Sequence, residues 1–183
     1  IIGSYIKDSN SKWNIITKFD SLKVSIIDQL NDSKNKLNTT PYAVLAHSCE
    51  LFISEFFQNE APELLIENPG LKIGVSLYNE IELKKVLDCD FKPSIIQIPL
   101  NILDNKLYLS GALSEFKKNK IEIHARSLFL QGLLYLNPND LDMRFSDVKS
   151  VLLKLKSIAK SDNLSLAEIS LLWVNNIDDI DHI

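Results

Sequence analysis

Five short apolar runs, each finishing in or just before a polar residue, leave few folds open to this chain. They read Asn-Ile-Ile-Thr (14–17), Tyr-Ala-Val-Leu-Ala (42–46), Lys-Ile-Gly-Val-Ser (72–76), Ser-Ile-Ile-Gln-Ile (94–98) and Ile-Glu-Ile-His-Ala (121–125). Most are continuously apolar for several residues, the habit of parallel strands covered on both faces. Helical periodicity fills the gaps. Residues 21–37 place Leu22, Ile26, Ile27, Leu30 and Leu37 near one stripe, with Ser21 as the expected cap. Asn79 precedes a helix carrying Ile81, Leu83, Val86 and Leu87, and Leu109, Leu113 and Phe116 stand at helical spacing further on. Two more helices, capped at Ser146 and Ser165 and separated at Asn163, end the pattern. Strand–helix–strand units of this kind are right-handed and close into a doubly wound sheet or a barrel.

No Gly-x-Gly-x-x-Gly follows any strand, so the Rossmann fingerprint is absent. Repeated βα units with polar strand ends favour an α/β fold of the TIM (β/α)8 barrel type, whose chemistry sits at those ends. Five good strands are legible and a further one begins within 178–183. The expectation is a single domain over residues 1–183 holding about six of the eight strands a barrel needs.

Composition narrows the function. The chain has 183 residues and a formal net charge of -4. No basic stripe points to nucleic acid, and no apolar run is long enough to span a membrane. The chain opens Ile-Ile-Gly, without Met or a basic leader, which reads as a cut point. Cys49 and Cys89 lie far apart and are expected as free thiols in the cytoplasm. His47, His124 and His182 have no helical or Cys-x-x-Cys partners, so no metal is expected.

The strand tips carry the candidate chemistry. In order they offer Lys18, His47, Ser76, Gln97, and Arg126 with Ser127. Singly, each is bland: a lysine after a strand is mostly solvated, and a glutamine satisfies a backbone group. Together, at one rim of a barrel, they make a mouth. Arg126 is the most demanding, since an unpaired buried charge costs several kcal/mol or more. It is followed by Leu128, Phe129, Leu130, Leu133 and Leu134, a greasy floor beside a cation. The plain alternative for Arg126 is a salt bridge to a rim carboxylate.

The segments Ile-Ile-Thr-Lys (15–18), Val-Leu-Ala-His-Ser (44–48), Lys-Ile-Gly-Val-Ser (72–76) with the helix start behind it, Ile-Ile-Gln-Ile-Pro-Leu (95–100), and 121–134 resemble, in order and spacing, the aldo/keto reductase superfamily, its bacterial members above all. The resemblance implies hydride transfer to a carbonyl from an extended NADPH, or NADH, with no Rossmann fold. It implies that Lys18 and His47 are catalytic. Ser76 and Gln97 would bind the nicotinamide carboxamide, Arg126 would stack on the ring, and Ser127 and the backbone around Phe129 would meet the pyrophosphate. The partner is a small-molecule carbonyl compound, and residues 102–107 resemble a bacterial subset that hints at a sugar-like one.

Three departures from the family pattern bear on this. The family's catalytic Tyr and Asp would precede Ile1, with Gly3 matching the glycine that follows them; Tyr5 is read as a helix residue. The last strand and the adenosine-binding loop would follow residue 183. The turn from Lys18 to the next helix is short, and Leu77 stands where an asparagine is common. The alternatives are a catalytically inactive relative that keeps the cofactor groove, and a truncated interaction domain.

Overall fold

The computed structural model describes residues 2–8 and 13–183. Five parallel strands form one sheet: β1 (Ile16–Phe19), β2 (Ala43–Ala46), β3 (Lys72–Ser76), β4 (Ile95–Pro99) and β5 (Glu122–Arg126). Their spatial order is their order along the chain. A doubly wound sheet reverses that order at its switch point, whereas a barrel adds every strand on the same side. The expected α/β barrel class is therefore what the topology delivers, in part. A sixth strand starts where expected: His182 bridges His124 in parallel, the Ala125 N–H donates to the His182 carbonyl at 2.8 Å, and the Asp181 N–H to the Ile123 carbonyl at 2.9 Å.

The helices are α1 (Ile2–Asp8), α2 (Ile26–Leu37), α3 (Cys49–Ile53), α4 (Glu55–Glu67), α5 (Glu80–Asp88), α6 (Lys106–Leu109), α7 (Ala112–Lys118), α8 (Ser146–Ser161) and α9 (Leu166–Asn175). Alternation divides each strand between two environments. Phe19, Val44, Ile73, Val75, Ile96 and Ile123 face outward into a core shared with Ile26, Leu30, Phe57, Leu83, Val86 and Phe116 of the helices. Ala43, Leu45 and Ile95, with Ile16, form a separate apolar layer on the inner face. Gly74 belongs to that inner face, and a Cβ there would lie 2.3 Å from the Ile95 carbonyl oxygen. The strands can approach only because position 74 has no side chain.

Several local expectations move. β1 begins at Ile16 and not Asn14, which makes Lys18 an interior strand residue and Phe19 its last. The cap of α2 is Ser25, whose hydroxyl accepts from the Asp28 N–H, and not Ser21. Gln29 explains the displacement: its amide donates to the Ser21 and Val24 carbonyls and pins residues 21–24 as a turn. Leu22 is consequently exposed. Ile81 and Leu109, placed on core stripes by periodicity, are 68% and 71% exposed. Gly111, at φ 74°, divides the helix expected around Leu109 into α6 and α7. Ser146 is the first helical residue of α8, and Phe145 takes the cap position without a side-chain bond. Ser165 caps α9 as expected, reinforced by Glu168 in a reciprocal capping box. Tyr5 lies in α1. Gly3 lets α1 rest on α2, since a Cβ there would meet the Lys36 carbonyl oxygen at 2.0 Å.

Candidate functional site

Residues two apart on a strand share a face. Lys18, Ser76, Gln97 and Arg126 each fall on the inner face near the C-terminal tip of their strand, and the register sets Ser76 beside Gln97. The side chains follow. The Lys18 ammonium donates to the Ser76 hydroxyl at 2.8 Å, and Ser76 donates to the Gln97 amide oxygen at 3.4 Å. Ser76 is fully buried, so this relay has little competition from water. Burial, and then the Arg126 charge, push the Lys18 ammonium below the ordinary lysine pKa. The two cations therefore share one mouth, closely enough to repel.

Arg126 makes no ion pair among the described residues; the expected alternative, a rim carboxylate, is not its partner there. Its guanidinium lies over the Tyr78 ring at 4.5 Å, and Nη1 donates to the Ser127 hydroxyl at 3.4 Å. Nε and Nη2 are buried without a partner. Orphaned donors of this kind cost about 1–3 kcal/mol each until an acceptor arrives. Tyr78 is the member of the mouth that sequence reasoning missed. It follows Leu77, which is fully buried where the resemblance suggested a polar residue. A cleft of about 370 Å³ opens beside Tyr78, between Asn79, Pro99 and Lys106.

His47 lies one residue beyond β2, its N–H donating to the Phe19 carbonyl at 2.8 Å, so it continues the ladder. Alternation puts it on the same face as Ala43 and Leu45, and it is exposed. Ser127, Leu130 and Gln131 follow Arg126 with φ of 63°, 48° and 54°, left-handed values that non-glycine residues seldom adopt. Such strain concentrates at ligand-binding turns. Phe129 is half-buried, its ring 5.4 Å from that of Tyr135, and its carbonyl accepts from the Gly132 N–H at 2.9 Å within the turn.

Two free thiols are present as expected; burial, assisted by Glu82 and Glu50, pushes Cys49 up to about 11, so it is inert at neutral pH. The expectation of no metal signature misses one constellation. Glu122, His124 and His182 bring their ligand atoms within 4.8 Å of one another on the inner face, with His124 beside Gln97 in register and Glu122 at the N-terminal end of β5. No spacing rule reveals it, because His182 reaches the other two only through strand pairing. No helix among the described residues is long and apolar enough to cross a membrane.

No family model matches the chain, and no curated protein does. Solved structures do. The glycerol dehydrogenase AKR11B4 from Gluconobacter oxydans superposes over all of this chain with a TM-score of 0.77 at 17% identity, and the chain covers 65% of it. A thermostable aldo-keto reductase, Tm1743, solved in complex with the inhibitor epalrestat, matches over all of the chain with a TM-score of 0.68 at 19% identity, and the chain covers 64% of it. The chain thus spans just under two thirds of the length of these structures. In fold, these residues form a partial (β/α)8 barrel similar to those of these two structures.

Proposed function

We propose that this chain forms part of an NAD(P)H-dependent oxidoreductase that reduces an aldehyde or ketone to an alcohol, with NADPH the first expectation and NADH the second. One observation carries the reading: the Lys18–Ser76–Gln97 relay and the under-bonded Arg126 share one face at the C-terminal strand tips. The residues present suit a nicotinamide cofactor. Its carboxamide needs a donor and an acceptor side by side, and Ser76 and Gln97 offer both from adjacent strands. The orphaned Nε and Nη2 of Arg126 call for an acceptor, and its planar group, already over the Tyr78 ring, suits an aromatic neighbour.

When bound, the reduced nicotinamide supplies the hydride; Ser76, Gln97 and Arg126 would hold its ring end, and Ser127 with the backbone around Phe129 its pyrophosphate. Lys18 supplies positive charge where the carbonyl oxygen becomes negative, and its lowered pKa brings the ammonium closer to a useful proton donor. His47 donates a hydrogen bond to the same oxygen and fixes its direction. The substrate we propose is a small carbonyl compound, a sugar-like one among the candidates, and the site of action proposed is the cytoplasm.

The test pairs binding with turnover. Titration of NADPH and NADH, followed by cofactor fluorescence, should saturate. Small aldehydes and hydroxyketones should oxidise the bound nucleotide. Lys18→Met should lower turnover about 100-fold or more with an unchanged melting temperature. Full activity in that variant would overturn the assignment of Lys18, and absence of nucleotide binding would overturn the whole reading. Binding without turnover on any carbonyl would favour the inactive relative.

A further inference from the structure

The Glu122–His124–His182 cluster has no part in the reading above. It lies on the same inner face: His124 is the register partner of Gln97, while Glu122 stands at the far end of β5 from Arg126, four residues or roughly 13 Å away at ~3.3 Å per residue. His124 is buried, with its Nε2 3.4 Å from Glu122 Oε2. The His182 ring meets His124 edge to face, with centroids 4.7 Å apart. Four-coordinate zinc with ligand distances of about 2.0–2.2 Å spaces its ligand atoms roughly 3.3–3.5 Å apart; the Glu122–His124 pair stands at 3.4 Å, and all three ligand atoms lie within 4.8 Å of one another. A cleft of about 280 Å³, lined by Tyr42, Gln97, His124 and His182 among others, leads to the group, so an ion has a way in.

The surroundings divide the carboxylate between two tasks. Lys72 donates to Glu122 Oε1 and to the Tyr42 hydroxyl, while Oε2 faces His124 and accepts from the Tyr42 hydroxyl at 3.5 Å. Carboxylate ligands of metals are commonly held in this way by an outer partner that fixes their orientation. Two imidazoles and one carboxylate oxygen, with a fourth position open to water because His182 is exposed, form a ligand set that suits zinc and the neighbouring divalent transition metals rather than magnesium or calcium.

We propose that Glu122, His124 and His182 bind one divalent transition-metal ion of the zinc type, tying the sixth strand to the fifth at the N-terminal end of the barrel. The test uses the purified chain and Co²⁺ as a visible probe, with Zn²⁺ as competitor. One equivalent of Co²⁺ should bind, give absorption bands of a four-coordinate nitrogen–oxygen site, and be displaced by Zn²⁺. His182→Ala, which alters an exposed residue and should leave the fold intact, should weaken binding about tenfold or more. Lys72→Met should weaken it about tenfold or more, because Glu122 loses the outer partner that fixes its orientation. Binding unchanged in His182→Ala, binding abolished by Cys89→Ser, or no saturable binding by a chain with native circular dichroism would each overturn the proposal.

Discussion

Lys18 and Arg126 repel across the mouth, and that repulsion is a measurable property of two side chains. Lys18 is held below its ordinary pKa by burial and then by Arg126. A base whose folded pKa is lowered makes the unfolded chain the better proton binder, so stability from this group rises with pH. The window runs from the lowered value up to the ordinary ~10.4 of lysine. Arg126→Gln should raise the Lys18 pKa, read by NMR of labelled lysine side chains, and should flatten that part of the stability–pH curve. An unmoved Lys18 titration would show that burial acts alone. Gly74 is the other single residue that matters. A Cβ 2.3 Å from a carbonyl oxygen and 2.5 Å from Leu45 Cδ2 has nowhere to go on the inner face. Gly74→Ala should cost about 1–3 kcal/mol in urea unfolding, the usual range for overpacking a tight core.

At the scale of elements, the attachment of the sixth strand is the informative joint. The Asp181 carboxylate accepts from the Lys117 ammonium at 2.6 Å and from the Ile123 N–H at 2.7 Å. Burial raises its pKa, but these two donors outweigh that and hold it below the ordinary carboxylate range. The stabilisation is complete above the unfolded pKa of ~3.9 and fades as pH falls through the folded value. Asp181→Asn keeps an acceptor but loses the charge, and should cost about 1–2 kcal/mol with faster amide exchange at Ile123 and Ala125. Exchange unaltered at those two amides would mean that the ladder alone holds the strand. The capping of α9 was legible beforehand because Ser165 and Glu168 make a local, four-residue motif. The start of α2 was not: Ser21 and Ser25 are equivalent as caps, and the choice lies with Gln29, eight residues beyond Ser21.

Across the whole molecule, the sheet of the described residues stays open. β1 pairs only with β2, and β5 meets only β4 and the short bridge at His182. Unpaired strand edges template association. The 183-residue chain by itself should self-associate as concentration rises, read by light scattering after size exclusion, and a persistent monomer would show that both edges are protected. Much of this architecture was written in the sequence. Apolar runs are local, and a parallel strand covered on both faces has to look like one, so the five strands, their order of use and the polar residue at each tip were determined before any coordinates. Periodicity also named the buried side of most helices, although Ile81 and Leu109 fit the stripe and still face water. Only the tertiary structure decided which tips touch: the Lys18–Ser76–Gln97 relay joins residues up to 79 positions apart, the stacking of Arg126 on Tyr78 spans 48, and the Glu122–His124–His182 group needs a strand to return beside another. Pattern along a chain reports what each residue wants from its surroundings; only closure of the backbone by non-local pairing determines which residue supplies it.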